Sequence, residues 1–382
     1  MAGHTPRDRP APLLLVVDPD ADVSPFGSYA AVAANGQRLL AAELSRRLGA
    51  QGAAVARLPA EQPSPDFHWG RWFTSAARAA RREAESGSPP LDAIGYAGAG
   101  SLALLADFAL DELLSPVAGE VVANNRFSAD AFVVAGDVDA ALAVLAECPT
   151  DNAAVRSLER AGFRWRDLSN QSWSRFDVDT PLDLALLRLA IRLPEARVLD
   201  GVVSAFLEMA RLPGGGALEV PKLAEIGKVI RSRDAELVVA GRVPSSAWSY
   251  LETESACRVR CFIEERGMRS ARDGRPRSLL AGWVARLGAA DLVAQLASLG
   301  DAVILDTRVL MAALAGSSDA TAWPAEEQRF ASDFLDHANA GAGWLGELVA
   351  AAADASVPFL LGGHALVSDG LRILVDASWQ GR

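Results

Sequence analysis

The sequence predicts an α/β protein of two domains, and three observations carry that prediction. The chain has 382 residues, half of them hydrophobic, which is more than one core usually supports. Short apolar runs alternate with segments of helical spacing along its whole length. Several of those runs end in turns of glycine or carboxylate residues.

Composition narrows the function classes. A net charge of −11 argues against general nucleic-acid binding, which needs a broad basic surface, so small-molecule substrates are expected. Apolar stretches such as residues 11–17 and 303–310 fall well short of the roughly 18 residues a membrane span needs, and no membrane partner is expected. Residues 1–10 are polar and read as a tail. They lead into a short run ending in Asp18, a strand and not a signal segment, so the expected location is cytoplasmic. The three cysteines, Cys148, Cys257 and Cys261, have no C-x-x-C spacing and read as reduced core thiols.

In chain order, Leu13 to Val17 is the first strand, followed by the carboxylate-dense turn Asp18-Pro19-Asp20-Ala21-Asp22. Residues 36–48 have helical spacing, 53–58 strand character and 69–85 helical spacing. Residues 91–96 read as a buried strand, broken by Gly98-Ala99-Gly100-Ser101 before an apolar helix starting near Leu102. Gly98, Gly100 and Ala103 match the G-x-G-x-x-A pattern, which opens backbone N–H groups to an anion. A tight packing turn explains the same residues. Strands follow at 121–123 and 132–134, separated by the polar turn Asn124 to Asp130. Asp137 and Asp139 read as helix-start residues for 140–146, and a helix over 153–161 follows.

The stretch Phe176-Asp177-Val178-Asp179-Thr180-Pro181-Leu182-Asp183-Leu184 is the focus of the first half. If residues 175–179 form a strand, period-2 geometry puts Asp177 and Asp179 on one face, a site for a hard cation. Thr180 is a natural N-cap, Pro181 suits the first helical position and Asp183 completes a capping box. A capped strand-to-helix junction is the alternative to a metal site.

Together, the strand, glycine turn and helix, the turn Asn124 to Asp130 and the D-x-D-T-P-x-D-L ending resemble nucleotidyltransferases with the GT-A fold, over about residues 12–190. The closest likeness is to 2-phospho-L-lactate guanylyltransferases and molybdenum cofactor guanylyltransferase-like proteins. The resemblance implies a bacterial-type enzyme in which a substrate phosphate attacks the α-phosphate of a nucleoside triphosphate. It implies Mg²⁺ on Asp179 and Asp130 with help from Asp177, and nucleotide phosphates near Gly98, Gly100, Ser101, Asn125 and Arg126. The sequence departs from the family in two places. Val16 to Asp22 stands where the family has a glycine-rich phosphate loop, and Ala97 to Ser101 stands where it has a G-D-x-P turn. A protein that binds a nucleotide, or nothing, without turnover is the second reading.

A domain boundary is expected near 198, giving domains 1–198 and 199–382. Beyond it, strands at 235–240, 258–263, 302–305 and 358–361 alternate with helices at 246–254, 279–299, 325–337 and 344–353, which predicts a Rossmann-like, mostly parallel second sheet. Three strand ends carry polar groups: Arg242, Asp306-Thr307-Arg308 and Gly362-Gly363-His364. Carboxyl ends of strands form the ligand crevice in open sheets. Asp306 and His364 are therefore candidate catalytic groups, with His364 an acid, base or metal ligand, and the ligand is expected to be anionic. Plain structural roles, an ion pair for Asp306 and a hydrogen-bonded turn for His364, stand beside that reading. Arg266, Arg269, Arg272, Arg275 and Arg277 suggest a phosphate-gathering loop or a solvated one, and Glu326, Arg329 and Asp333 a salt-bridged helix surface.

Overall fold

The structure is a computed structural model describing residues 11–19, 27–59, 66–86, 91–168, 173–193, 199–264 and 275–380. The tail 1–10, Asp20, Asp22, Arg266, Arg269 and Arg272 lie outside the described residues. The chain divides into two compact units, Met1–Asp22 with Ala34–Asp177, and Val23–Ala33 with Val178–Arg382.

The first unit holds β1 (Leu13–Asp18), most of α1 (Tyr29–Ala50), β2 (Ala54–Pro59), α2 (Trp69–Ala84), β3 (Ala93–Ala97) and α3 (Asp107–Leu113). These are followed by β4 (Glu120–Ala123), β5 (Ala131–Ala135), α4 (Val138–Ala146), α5 (Ala154–Arg160) and β6 (Arg164–Asp167). Its sheet runs β2-β1-β3-β5-β4-β6, and β5 alone is antiparallel to its neighbours. Alternation along the strands feeds two cores. Leu13, Leu15, Ile94, Tyr96, Phe132 and Val134 pack with α2, α4 and α5 on one face, while Leu14, Val16, Ala97, Val122 and Val133 pack with α1 and α3 on the other.

The second unit holds the first residues of α1 and then α6 (Pro181–Ala190), α7 (Gly201–Met209), α8 (Leu223–Ile230), β7 (Glu236–Gly241), α9 (Ser245–Glu254) and β8 (Arg258–Ile263). It continues with α10 (Leu279–Leu287), α11 (Ala289–Ala297), β9 (Ala302–Asp306), α12 (Thr307–Ala315), α13 (Glu326–Asp333), α14 (Trp344–Ala353), β10 (Phe359–Gly362) and α15 (Leu371–Gln380). The all-parallel sheet runs β10-β9-β7-β8. β7, β9 and β10 are buried on both faces, as the helix-covered strands of a parallel sheet must be, whereas the edge strand β8 alternates exposed and half-buried residues. α10, α11 and α14 cover one face with leucine, valine and alanine.

The unit boundary at 177/178 precedes the break expected near 198, because α6 packs with α7, α13 and α15 of the second unit. Three other expectations change. Residues 173–179 form a turn and irregular chain instead of a strand. Arg164–Asp167 takes the place beside β4, with Arg164 and Arg166 both reaching Glu120. The helix expected near Leu102 starts only at Asp107, after successive turns in which Leu102 has φ +59°. The helix expected over 279–299 is broken by Gly288, whose φ of +94° ends α10 and starts α11.

Candidate ligand site at the strand ends

In the second unit, β7 connects through α9 to β8 on one side, and β9 connects through α12 to α14 to β10 on the other. The chain therefore leaves β7 and β9 in opposite directions, and the gap between their carboxyl ends is the topological switch point where open α/β sheets bind ligands. Arg242 and Asp306 meet there. Arg242 Nε donates to Asp306 Oδ2 at 2.6 Å and Nη2 to Oδ1 at 3.0 Å. The Arg242 backbone N–H adds a bond to Oδ2 at 3.3 Å, and the Arg308 N–H donates to Oδ1 at 3.1 Å, making Asp306 the N-cap of α12. The approach requires a glycine before Arg242: Gly241 has φ +133°, and a Cβ on it would lie 2.3 Å from that of Asp306.

Asp306 is 0% exposed. Burial alone would push its carboxyl up. The charge and hydrogen bonds of Arg242, aided by the charge of His364, outweigh that and hold it below its ordinary value. Asp306 is thus an anion that fixes a guanidinium. Nη1 of Arg242 makes no hydrogen bond among the described residues.

Arg308, the second residue of α12, forms another buried pair. Its Nη2 donates to Asp333 Oδ2 at 2.7 Å and its Nη1 to Asp333 Oδ1 and, at 3.0 Å, to Thr307 Oγ1. The Thr307 hydroxyl donates in turn to the Gly362 carbonyl at 3.1 Å, tying the end of β10 to the start of α12. Just beyond, Gly363 lies against Arg308, and the exposed His364 opens the final helical segment. Asp333 is 0% exposed, so it is not part of the salt-bridged surface expected for Glu326, Arg329 and Asp333. Phe330 and Ala331, also buried, were the signal that this side of α13 turns inward.

Thr180 and Asp183 build the expected capping box at α6, with Pro181 at its start. Asp183 Oδ2 accepts from the backbone N–H groups of Thr180 at 2.9 Å and Asp179 at 3.1 Å, and from the Thr180 hydroxyl at 2.9 Å. Burial, then the charge of Asp179, push Asp183 up to about 7 against those hydrogen bonds, and Asp333 adds to the rise. A cap by sequence, Asp183 is also a buried acid that titrates near neutrality.

The first unit places its expected residues differently. Gly98 N–H donates to the Asp130 carbonyl at 2.8 Å, and the Ser101 hydroxyl and amide both turn back to the Gly98 carbonyl. No helix opens at Gly100, so the turn lacks the dipole an anion site would use. Asn125 accepts from Phe127 N–H at 3.0 Å, while Arg126 pairs with Glu159 at 2.8 Å and stacks on Trp165 and Phe127. Buried Asn124 donates to Asp130 Oδ2 at 3.3 Å and to the Ser174 carbonyl at 3.0 Å, drawing the chain before Asp177 towards Asp130. Burial and then the charges of Asp151, Asp130 and Asp177 raise Tyr96 at the end of β3. Asp177 belongs to the first unit and Asp179 to the second, where its side chain is exposed.

Among the described residues no group of three or more His, Cys, Asp or Glu side chains is arranged to hold a metal ion. No helix among them is long and apolar enough to cross a membrane. Comparison of the chain with protein-family models, with curated proteins and with solved structures finds no match in any of the three, and the resemblance to nucleotidyltransferases rests on the residues alone.

Proposed function

We propose that the second unit binds a small anionic metabolite at the carboxyl edge of β10-β9-β7-β8 and exchanges a proton with it through His364. The observation that carries this reading is the Arg242–Asp306 pair at the switch point between β7 and β9. A guanidinium held by a fully buried carboxylate has lost its rotamer freedom before the ligand arrives, so its remaining N–H groups bind an anion with less ordering entropy. His364 acts on Asp306 electrostatically and is exposed, and an imidazole is a side chain suited to passing a proton to or from a bound metabolite.

Thermal unfolding with a panel of phosphorylated and carboxylated metabolites tests the reading, because a ligand of the native state raises the midpoint by mass action. At least one should raise it in the wild type and not in Arg242→Lys, which keeps the charge and loses the fork. Absence of any shift at millimolar ligand would refute it.

A nucleotide on the first unit is the second reading, as the resemblance implies. The observation favouring it is that Gly98, just past β3, and Asn124, just past β4, both bond to Asp130, while Asn124 also holds the Ser174 carbonyl, at an edge where an open sheet receives ligands. Unfolding with GTP, CTP, ATP and UTP, with and without Mg²⁺, tests it. A rise with one nucleotide that is lost in Asp177→Asn supports it, and no rise with any of them removes it.

A further inference from the structure

Gly363 carries an inference about the ligand of the second unit, one that rests on the anion-binding reading above. Most glycines around this site have an evident structural reason. Gly241 has a left-handed backbone and no room for a Cβ, and a Cβ on Gly362 would lie 2.7 Å from Leu366 Cδ2. Gly363 has neither constraint. Its φ is outside the left-handed region, and a Cβ on it would sit 3.6 Å from Arg308 Nε and 3.9 Å from Cδ and Cγ, ordinary contact distances. Glycine there leaves the Nε face of Arg308 uncovered. That nitrogen has no acceptor among the described residues, since Asp333 and Thr307 take Nη1 and Nη2.

Two guanidiniums thus stand at the ends of neighbouring strands, each locked by its own fully buried aspartate and each with donors left over: Nη1 on Arg242 and Nε on Arg308. We propose that they grip a phosphoryl group, which enters over Gly363 and lies between them beside His364. A carboxylate has two oxygens, and a single guanidinium edge uses both. A phosphoryl group has three terminal oxygens and close to two negative charges, which match two separate cations plus a neighbouring imidazole. The aspartates do not repel it strongly, because both Asp306 oxygens accept two hydrogen bonds each and both Asp333 oxygens are taken by Arg308.

Calorimetric titration of the full chain with sulfate, a tetrahedral dianion that does not titrate near neutral pH, and with acetate tests the proposal. Sulfate should bind saturably and more tightly than acetate. Gly363→Ala should unfold at the wild-type temperature without ligand and bind sulfate about tenfold more weakly, the loss expected for one charge-assisted hydrogen bond. Arg242→Lys should weaken sulfate similarly. Wild-type sulfate affinity in Gly363→Ala, or equal affinity for acetate and sulfate, would overturn the phosphoryl assignment and leave anion binding standing. Saturable binding of neither anion would overturn both. A large drop in the unfolding temperature of Gly363→Ala would show that the glycine is structural, and the assignment would fall with it.

Discussion

Removing either member of the Arg308–Asp333 pair should destabilise the protein more than removing both. Arg308 has a side-chain exposure of 9% and Asp333 of 0%. Asp333→Ala leaves a guanidinium buried with Thr307 Oγ1 as its one side-chain acceptor among the described residues, and Arg308→Met leaves a carboxylate buried without the cation that is hydrogen-bonded to it. Breaking a buried pair in this way costs about 3–5 kcal/mol, whereas replacing both charges with apolar groups of similar volume is often neutral. The surroundings permit that exchange. Asp306 is capped by the backbone N–H of Arg308 and not by its side chain, and the Thr307 hydroxyl still donates to Gly362. Arg308→Met with Asp333→Leu should therefore be more stable than either single variant, with a coupling of roughly 3 kcal/mol or more. Arg308→Met should also recover at pH 5 relative to pH 8, because its orphaned carboxyl can escape by taking a proton. Urea unfolding followed by circular dichroism measures all four proteins. Additive losses, or a double variant weaker than both singles, would show that the pair contributes net stability and that the desolvation argument fails here.

Three further outcomes follow from the same unit. Gly241→Ala forces a side chain into a left-handed backbone and onto Asp306, so it should cost about 3 kcal/mol or more, read as a lower unfolding temperature together with loss of anion binding. Asp183 has a folded pKa raised from its ordinary 3.8 to about 7. Its contribution to stability is complete below about pH 4 and fades as pH rises through 7, by roughly 4 kcal/mol in all. Asp183→Asn should hence cost less at pH 8 than at pH 5 in urea titrations, and an equal cost at both would contradict the shift. Glu327 accepts the Tyr29 and Ala30 N–H groups at 2.7 and 3.0 Å and so caps α1 with a negative charge. Glu327→Gln should lower stability by about 1 kcal/mol, a loss that shrinks in 1 M salt if the charge is its cause.

What could be read from the sequence was local. The capping box at Thr180 and Asp183, strand Arg258–Ile263 and helix Trp344–Ala353 appear as expected, because each is fixed by residues a few positions apart. The meeting of Arg242 and Asp306 was legible because strand ends in an open sheet share one edge. The rest depended on partners distant in sequence. Nothing near Asp333 announces Arg308, 25 residues earlier, and helical spacing alone serves an exposed pair and a buried one equally. The supposed strand before Thr180 failed for a similar reason: β4 had a better neighbour in Arg164–Asp167, whose alternating arginines share Glu120. That segment carries no apolar run, and an edge strand needs none.

Asp306 ends a strand, starts a helix and aims a guanidinium, all through one carboxyl group. Substituting it perturbs all three roles at once, so a loss of activity at that position would not distinguish a missing reagent from a distorted scaffold. Arg242 is different, being half-buried and, among the described residues, with a side chain hydrogen-bonded to Asp306 alone. An allelic series at 242 can grade ligand grip in small steps while strand and helix stay put. Selection for altered ligand preference has its easiest route there, with position 306 held constant.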